Sequence, residues 1–233
     1  MSGAHLFRLR APPSRERYIK IAEGDGLSDL RGEVERTRWL YAKGASVPDL
    51  LRVFDDGRRG AVLMTALPGS HPQDLRRPAA DVVRHLARGL RALHAIAAAD
   101  CPFDESTPLR LARARTMIAE GRVERAHFAA RNRRRSPQSI HARLAADIPR
   151  VEDIAVVHGD AKFDNLLIDH EGHVGFIDCG HAGRGDRYLD LEAVTSDIAE
   201  HFGRRWIGPF AQAYGIALEP ARLRFFSDLY ELF

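Results

Sequence analysis

Cysteine is scarce in this 233-residue chain: Cys101 and Cys179, far apart, are the only two. Such a pair supports neither a disulfide framework nor a cysteine-based metal site, and Cys179 is expected to be a small buried residue in a strand-turn. Long apolar runs are missing as well. No stretch approaches the roughly 18 consecutive apolar residues of a membrane span, and no apolar signal segment stands at the N-terminus, so a cytoplasmic protein with no membrane partner is expected. Neither sign of charge dominates: 35 Lys and Arg against 32 Asp and Glu leave a formal excess of +3, too small to imply nucleic acid as a partner. No low-complexity tract interrupts the chain.

The residues that are present describe an ordinary folded protein, 45% hydrophobic and 29% charged, long enough to bury a good core as one domain or as two lobes. Its most informative stretch runs from Val156 to Ile168 and is followed by Gly175-Phe176-Ile177-Asp178-Cys179-Gly180. Apolar, partly β-branched runs at Ile154 to Val157 and Leu166 to Ile168 bracket a polar loop carrying Asp160, Lys162 and Asn165, and a third run from Val174 to Ile177 brings Asp178 to the same rim. A carboxylate, an ammonium, an amide and a second carboxylate on one rim suit phosphoryl transfer, which needs an aligned acceptor hydroxyl, neutralised phosphate charge and Mg²⁺ held by oxygen. The order of a catalytic-loop Asp, an Asn five residues on and then a second Asp is that of the protein-kinase signature. It assigns Asp160 as general base, Asn165 and Asp178 as metal ligands, and Lys162 as the group beside the transferred phosphoryl.

These residues resemble one family in particular. His158-Gly159-Asp160, the segment Gly175 to Gly180, Asp186-Arg187-Tyr188-Leu189-Asp190, Cys101-Pro102-Phe103-Asp104 and the terminal Glu231-Leu232-Phe233 are similar to the aminoglycoside phosphotransferases, most closely the 3'-type or kanamycin kinases, over nearly the whole chain. The resemblance implies an α+β, protein-kinase-like fold of two lobes: a small β-rich N-terminal lobe (1–69, hinge at 65–69), shortened at its start, and a larger, mainly helical C-terminal lobe (70–233). It implies ATP and Mg²⁺ as cofactors, an aminoglycoside or other hydroxylated small molecule as partner, and a monomer or homodimer. Lys20, on an apolar strand, takes the place of the lysine that holds the α and β phosphates. Glu33 takes that of its counter-charge, with Glu35 competing and Trp39-Leu40 favouring Glu33. Ser2 and Gly3 stand for the end of the nucleotide-covering loop, and Thr65 and Leu67 for the backbone groups that hold adenine. The acceptor is assigned to Asp160, His181, Glu231 and Phe233.

Along the chain, strands are expected at Leu6 to Leu9 and Arg17 to Ile21 around a turn at Ala11 to Ser14, then a helix from Leu27 to Ala42 capped by Ser28 or Asp29. A hairpin follows at Asp55 to Gly60, with a strand from Ala61 to Met64. Helices are expected from Pro78, at Leu109 to Glu120, Pro137 to Ala146, Leu189 to Glu200, Trp206 to Tyr214 and Pro220 to Leu232. His85 and His94 are expected on the surface and in packing respectively, not as metal ligands.

Three departures from the family pattern bear on the acceptor. Arg122 to Arg135 holds six arginines and His127 where the 3'-type enzymes are acidic, and such a loop repels a polycation if it lines the site. His181 replaces an arginine, and Tyr230 stands where relatives often place Asp.

Overall fold

The computed structural model describes residues 4–9 and 16–233. The Ala11 to Ser14 turn, Ser2 and Gly3 lie outside the described residues. The N-terminal part is an antiparallel sheet of four strands, β1 (Ala4–Leu9), β2 (Arg17–Glu23), β3 (Leu50–Asp55) and β4 (Arg59–Thr65), in the order β1-β2-β4-β3. Helix α1 (Gly26–Ala42) packs on it, with Leu30 and Val34 against Ala22 and Val62 in a small apolar cluster. Gly60 belongs to this contact: a Cβ there would lie 2.6 Å from the end of the Leu27 side chain, which would have to shift to admit it. The α1 N-cap is Asp25, without a side-chain cap bond, and not Ser28 or Asp29. Burial of Leu27 draws Gly26 and Leu27 into the first turn and moves the start forward.

The second part is mainly helical: α2 (Ala79–His94), α3 (Thr107–Ala119), α4 (Pro137–Ala146), α5 (Tyr188–His201), α6 (Ile207–Tyr214) and α7 (Pro220–Tyr230). Its two antiparallel ribbons pair β5 (Ile154–Val157) with β8 (Gly183–Asp186) and β6 (Leu166–Ile168) with β7 (Val174–Phe176). Proline at the first turn and a Ser136 hydroxyl accepting the Ser139 N–H start α4 at Pro137, as proline's missing N–H allows. A large core joins Leu86 and Leu90 of α2 to Val156 and Val157 of β5 and to Leu191, Val194 and Ile198 of α5, and Leu40 at the end of α1 enters it. Ser70 bridges to Ile168, so the chain attaches to this part directly after the sheet. His94 is buried and His85 half-buried. Among the described residues no helix is long and apolar enough to cross a membrane.

Candidate active site

The loop after β5 is held by its backbone. Asp190 of α5, fully buried, accepts the N–H groups of His158 (2.7 Å) and Gly159 (2.8 Å) and pairs with His94 Nε2 at 3.0 Å. Burial works against its charge, but His94 and these backbone donors outweigh it and hold its pKa below the usual carboxylate value. Gly159 has φ of +79°, and a Cβ there would stand 2.2 Å from the His181 carbonyl oxygen. Only glycine makes this turn. His158 Nε2 donates to the Ile177 carbonyl at 2.9 Å, joining this loop to the one that carries Asp178.

Asp160 therefore projects from a fixed backbone. Asn165 Nδ2 donates to its Oδ2 (2.9 Å) and to its carbonyl (2.8 Å), which turns the Asn165 side-chain oxygen the other way. The second carboxylate oxygen, Oδ1, lies 3.6 Å from Lys162 Nζ and accepts the Tyr230 hydroxyl at 3.2 Å. The same hydroxyl is 3.2 Å from the Gly159 carbonyl, which Arg110 also reaches at 2.7 Å.

Asp178 adopts the left-handed conformation, φ 56° and ψ 56°, rare for a residue with a Cβ and typical of functional strain. The turn aims its half-exposed carboxylate at Lys20, with Nζ 3.2 Å from Oδ1. Lys20 is mostly buried on β2 and bonds Glu33 of α1 at 2.6 Å; Glu35 is not its partner. Burial disfavours the ammonium, yet Glu33 and Asp178 outweigh it and raise its pKa. The Ile177 N–H on the Asn165 carbonyl (3.0 Å) keeps Asn165 and Asp178 side by side. A cavity of about 630 Å³ opens here, and Lys20, Glu33, Thr65, Leu67, Asn165 and Asp178 are in its wall. The Thr65 N–H is already bonded to the Asp49 carbonyl, 3.0 Å. Oxygen-only donors facing a cavity fit a hard divalent cation, and the Asn165 amide can offer its oxygen there while its nitrogen stays on Asp160. Cys179 is buried, and that burial pushes its thiol pKa far up, so it stays protonated.

A second cavity, about 510 Å³, shares Lys20, Glu33 and Asp178 and adds Asp160, His181 and Arg113. His181 is an exposed residue of its wall; the surrounding protein mass and Arg110 lower its pKa. Fully buried Glu105 ties this wall together, 3.3 Å from Arg36, 3.4 Å from Arg110 and 2.7 Å from Arg113. Glu231 is not left open to a ligand: it accepts the Ala129 N–H (3.1 Å) and Asn132 Nδ2 (2.9 Å). Phe233 is exposed, its ring 5.8 Å from the Arg110 guanidinium. In the basic segment, Arg131 and, from α4, Arg143 close on buried Asp228, so part of that positive charge is spent internally. The sequence does not signal the roles of Asp190, Glu105 and Arg110: Asp190 stands there only as part of a motif, and nothing local points to Glu105.

The model of the phosphotransferase enzyme family matches residues 3–226. An aminoglycoside 3'-phosphotransferase of Niallia circulans is 30% identical over 100% of this chain and 89% of its own length. The crystal structure of an aminoglycoside 3'-phosphotransferase of type VIII superposes with a TM-score of 0.89 at 34% identity, covering 100% of this chain and 90% of that one. A 3''-type aminoglycoside phosphotransferase from Streptomyces rimosus, in complex with ADP and streptomycin, gives a TM-score of 0.83 at 28% identity over 94% and 88% of the two chains.

Proposed function

The chain belongs to the phosphotransferase enzyme family, and from that premise we propose that it transfers the γ-phosphoryl group of ATP to a hydroxyl of an aminoglycoside, at the 3' position, and thereby confers resistance. The observation that carries this reading is that Lys20, Glu33 and Asp178 line both cavities, while Asn165 lines the first and Asp160, to which it is hydrogen-bonded, lines the second. Lys20, braced by Glu33, binds the α and β phosphates, while Thr65 through its carbonyl and Leu67 through its N–H receive the adenine. Ser2 and Gly3 are assigned to covering the phosphates. Asn165 and Asp178 would hold Mg²⁺, which supplies charge neutralisation across the phosphates.

Asp160 orients the acceptor hydroxyl and takes its proton as the acceptor oxygen bonds to the γ-phosphorus. The bond from that phosphorus to the β–γ bridging oxygen breaks, and ADP leaves with the electron pair. Lys162 balances charge on the moving phosphoryl. His181, in the wall of the second cavity, and Phe233 are assigned to the acceptor, and Glu231 acts by holding the terminal segment.

Coupled measurement of ADP release tests the reading against kanamycin, neomycin, streptomycin and a panel of neutral sugars and amino alcohols. Aminoglycoside kcat/KM far above that of every other acceptor is expected, and a metabolite turned over faster than all three antibiotics overturns the assignment.

A further inference from the structure

Asp160 has two carboxylate oxygens, and the structure gives them different surroundings. Oδ2 is occupied by the Asn165 amide. Oδ1, the atom left to receive an acceptor proton, meets the Tyr230 hydroxyl at 3.2 Å. Tyr230 thus stands beside the oxygen that the reacting hydroxyl has to reach. The phenol is half-buried at the end of α7. Burial and the Asp160 charge raise its pKa, so it remains a protonated donor.

A tyrosine face can attract a cation, but this one already has one: Lys162 Nζ lies 5.2 Å from the ring centroid. A substrate ammonium placed there meets a like charge. Apart from Asp160 itself, the carboxylates whose charge reaches Tyr230 are engaged, Asp190 by the His158 and Gly159 N–H groups and Glu192 by the Ser196 hydroxyl. Glu105 is enclosed by Arg36, Arg110 and Arg113, and Asp228 by Arg131 and Arg143. Glu231 is held by Ala129 and Asn132. Asp29 of α1 adds a carboxylate to the wall of the second cavity, whose lining does not include Tyr230.

We propose that Tyr230 is the acceptor-side specificity and positioning residue: its hydroxyl braces Asp160 Oδ1, and its Lys162-backed ring selects a hydroxyl whose neighbouring substituent is uncharged. This rests on the aminoglycoside reading and narrows it, because specificity arises here by disfavouring a charge as much as by binding a group.

Kanamycin A and kanamycin B form a matched pair, carrying a hydroxyl and an ammonium respectively on the carbon beside the 3'-hydroxyl. The wild type is expected to favour kanamycin A in kcat/KM by about fivefold or more. Tyr230→Asp shifts the ratio toward kanamycin B by about tenfold. Tyr230→Phe keeps the ratio, since the ring and Lys162 remain, but lowers kcat for both about three- to tenfold with KM for ATP unchanged. An unchanged ratio in Tyr230→Asp overturns the specificity role, and wild-type kcat in Tyr230→Phe overturns the brace. If neither kanamycin is phosphorylated, the aminoglycoside reading fails separately. The brace is then read from Mg·ATP hydrolysis by water, which uses the same carboxylate: a drop of about three- to tenfold in Tyr230→Phe supports it and an unchanged rate overturns it.

Discussion

The two cavities that meet at Asp178 handle charge in opposite ways. On the nucleotide side, Lys20, Glu33 and Asp178 form one chain of contacts at 2.6 and 3.2 Å whose far end stays half exposed, ready to exchange partners when phosphates arrive. On the acceptor side Glu105 is enclosed by three arginines, Asp228 is held by Arg131, Arg143 and Asn132, and Asp160 meets a phenol. The first region is poised to bind a charged ligand; the second has already spent its charges on itself. Recognition of nucleotide thus rests on charges that can change partners, and recognition of the acceptor on single hydrogen bonds and on the positive charge that Lys162 holds against the Tyr230 ring.

Asp190 underlies both regions, so its removal sets the upper limit of what either can lose. Asp190→Ala strips the His158 and Gly159 N–H groups and His94 of their acceptor and should cost about 3–5 kcal/mol in denaturant unfolding, with activity lost on both sides. Its folded pKa is depressed. The stabilisation is therefore full above the unfolded value and disappears as pH falls through the folded one, that is, below about pH 4. The gap between wild type and variant should narrow there.

Lys20→Ala comes next and separates the regions. A loss of about 10²-fold in kcat/KM for ATP is expected, with acceptor KM within about twofold; equal losses for both substrates would erase the contrast. Glu105→Gln probes the other side. Leaving Arg36, Arg110 and Arg113 without their anion should destabilise by about 2 kcal/mol and raise acceptor KM while KM for ATP holds. Glu231→Gln is the smallest, within about 1 kcal/mol in stability and twofold in acceptor KM, because its bonds are to a loop and not to a ligand. A large acceptor KM effect there would return Glu231 to direct substrate contact.

The nucleotide side was largely legible in the sequence because its parts lie at fixed offsets in short elements. Asn165 follows Asp160 within one loop, Lys20 sits mid-strand, and Leu30, Val34 and Thr37 at helical spacing place Glu33 on the strand-facing turn of α1. The acceptor side was not, because its contacts join distant segments. Tyr230 meets Asp160 across 70 positions and Arg36 meets Glu105 across 69. A charge count correctly found the arginines of 122–135, but pairing with α7 is a tertiary fact that composition does not carry. His181 was marked for its side chain, while its carbonyl, packed against Gly159, is what shapes the loop.

The most direct test of the whole account separates binding from transfer at Asp160. Asp160→Ala should bind Mg·ATP in titration calorimetry within about threefold of the wild-type Kd, since the base acts mainly in the transition state, while kanamycin phosphorylation falls by about 10²–10⁴-fold. Near-normal turnover in this variant would contradict the account.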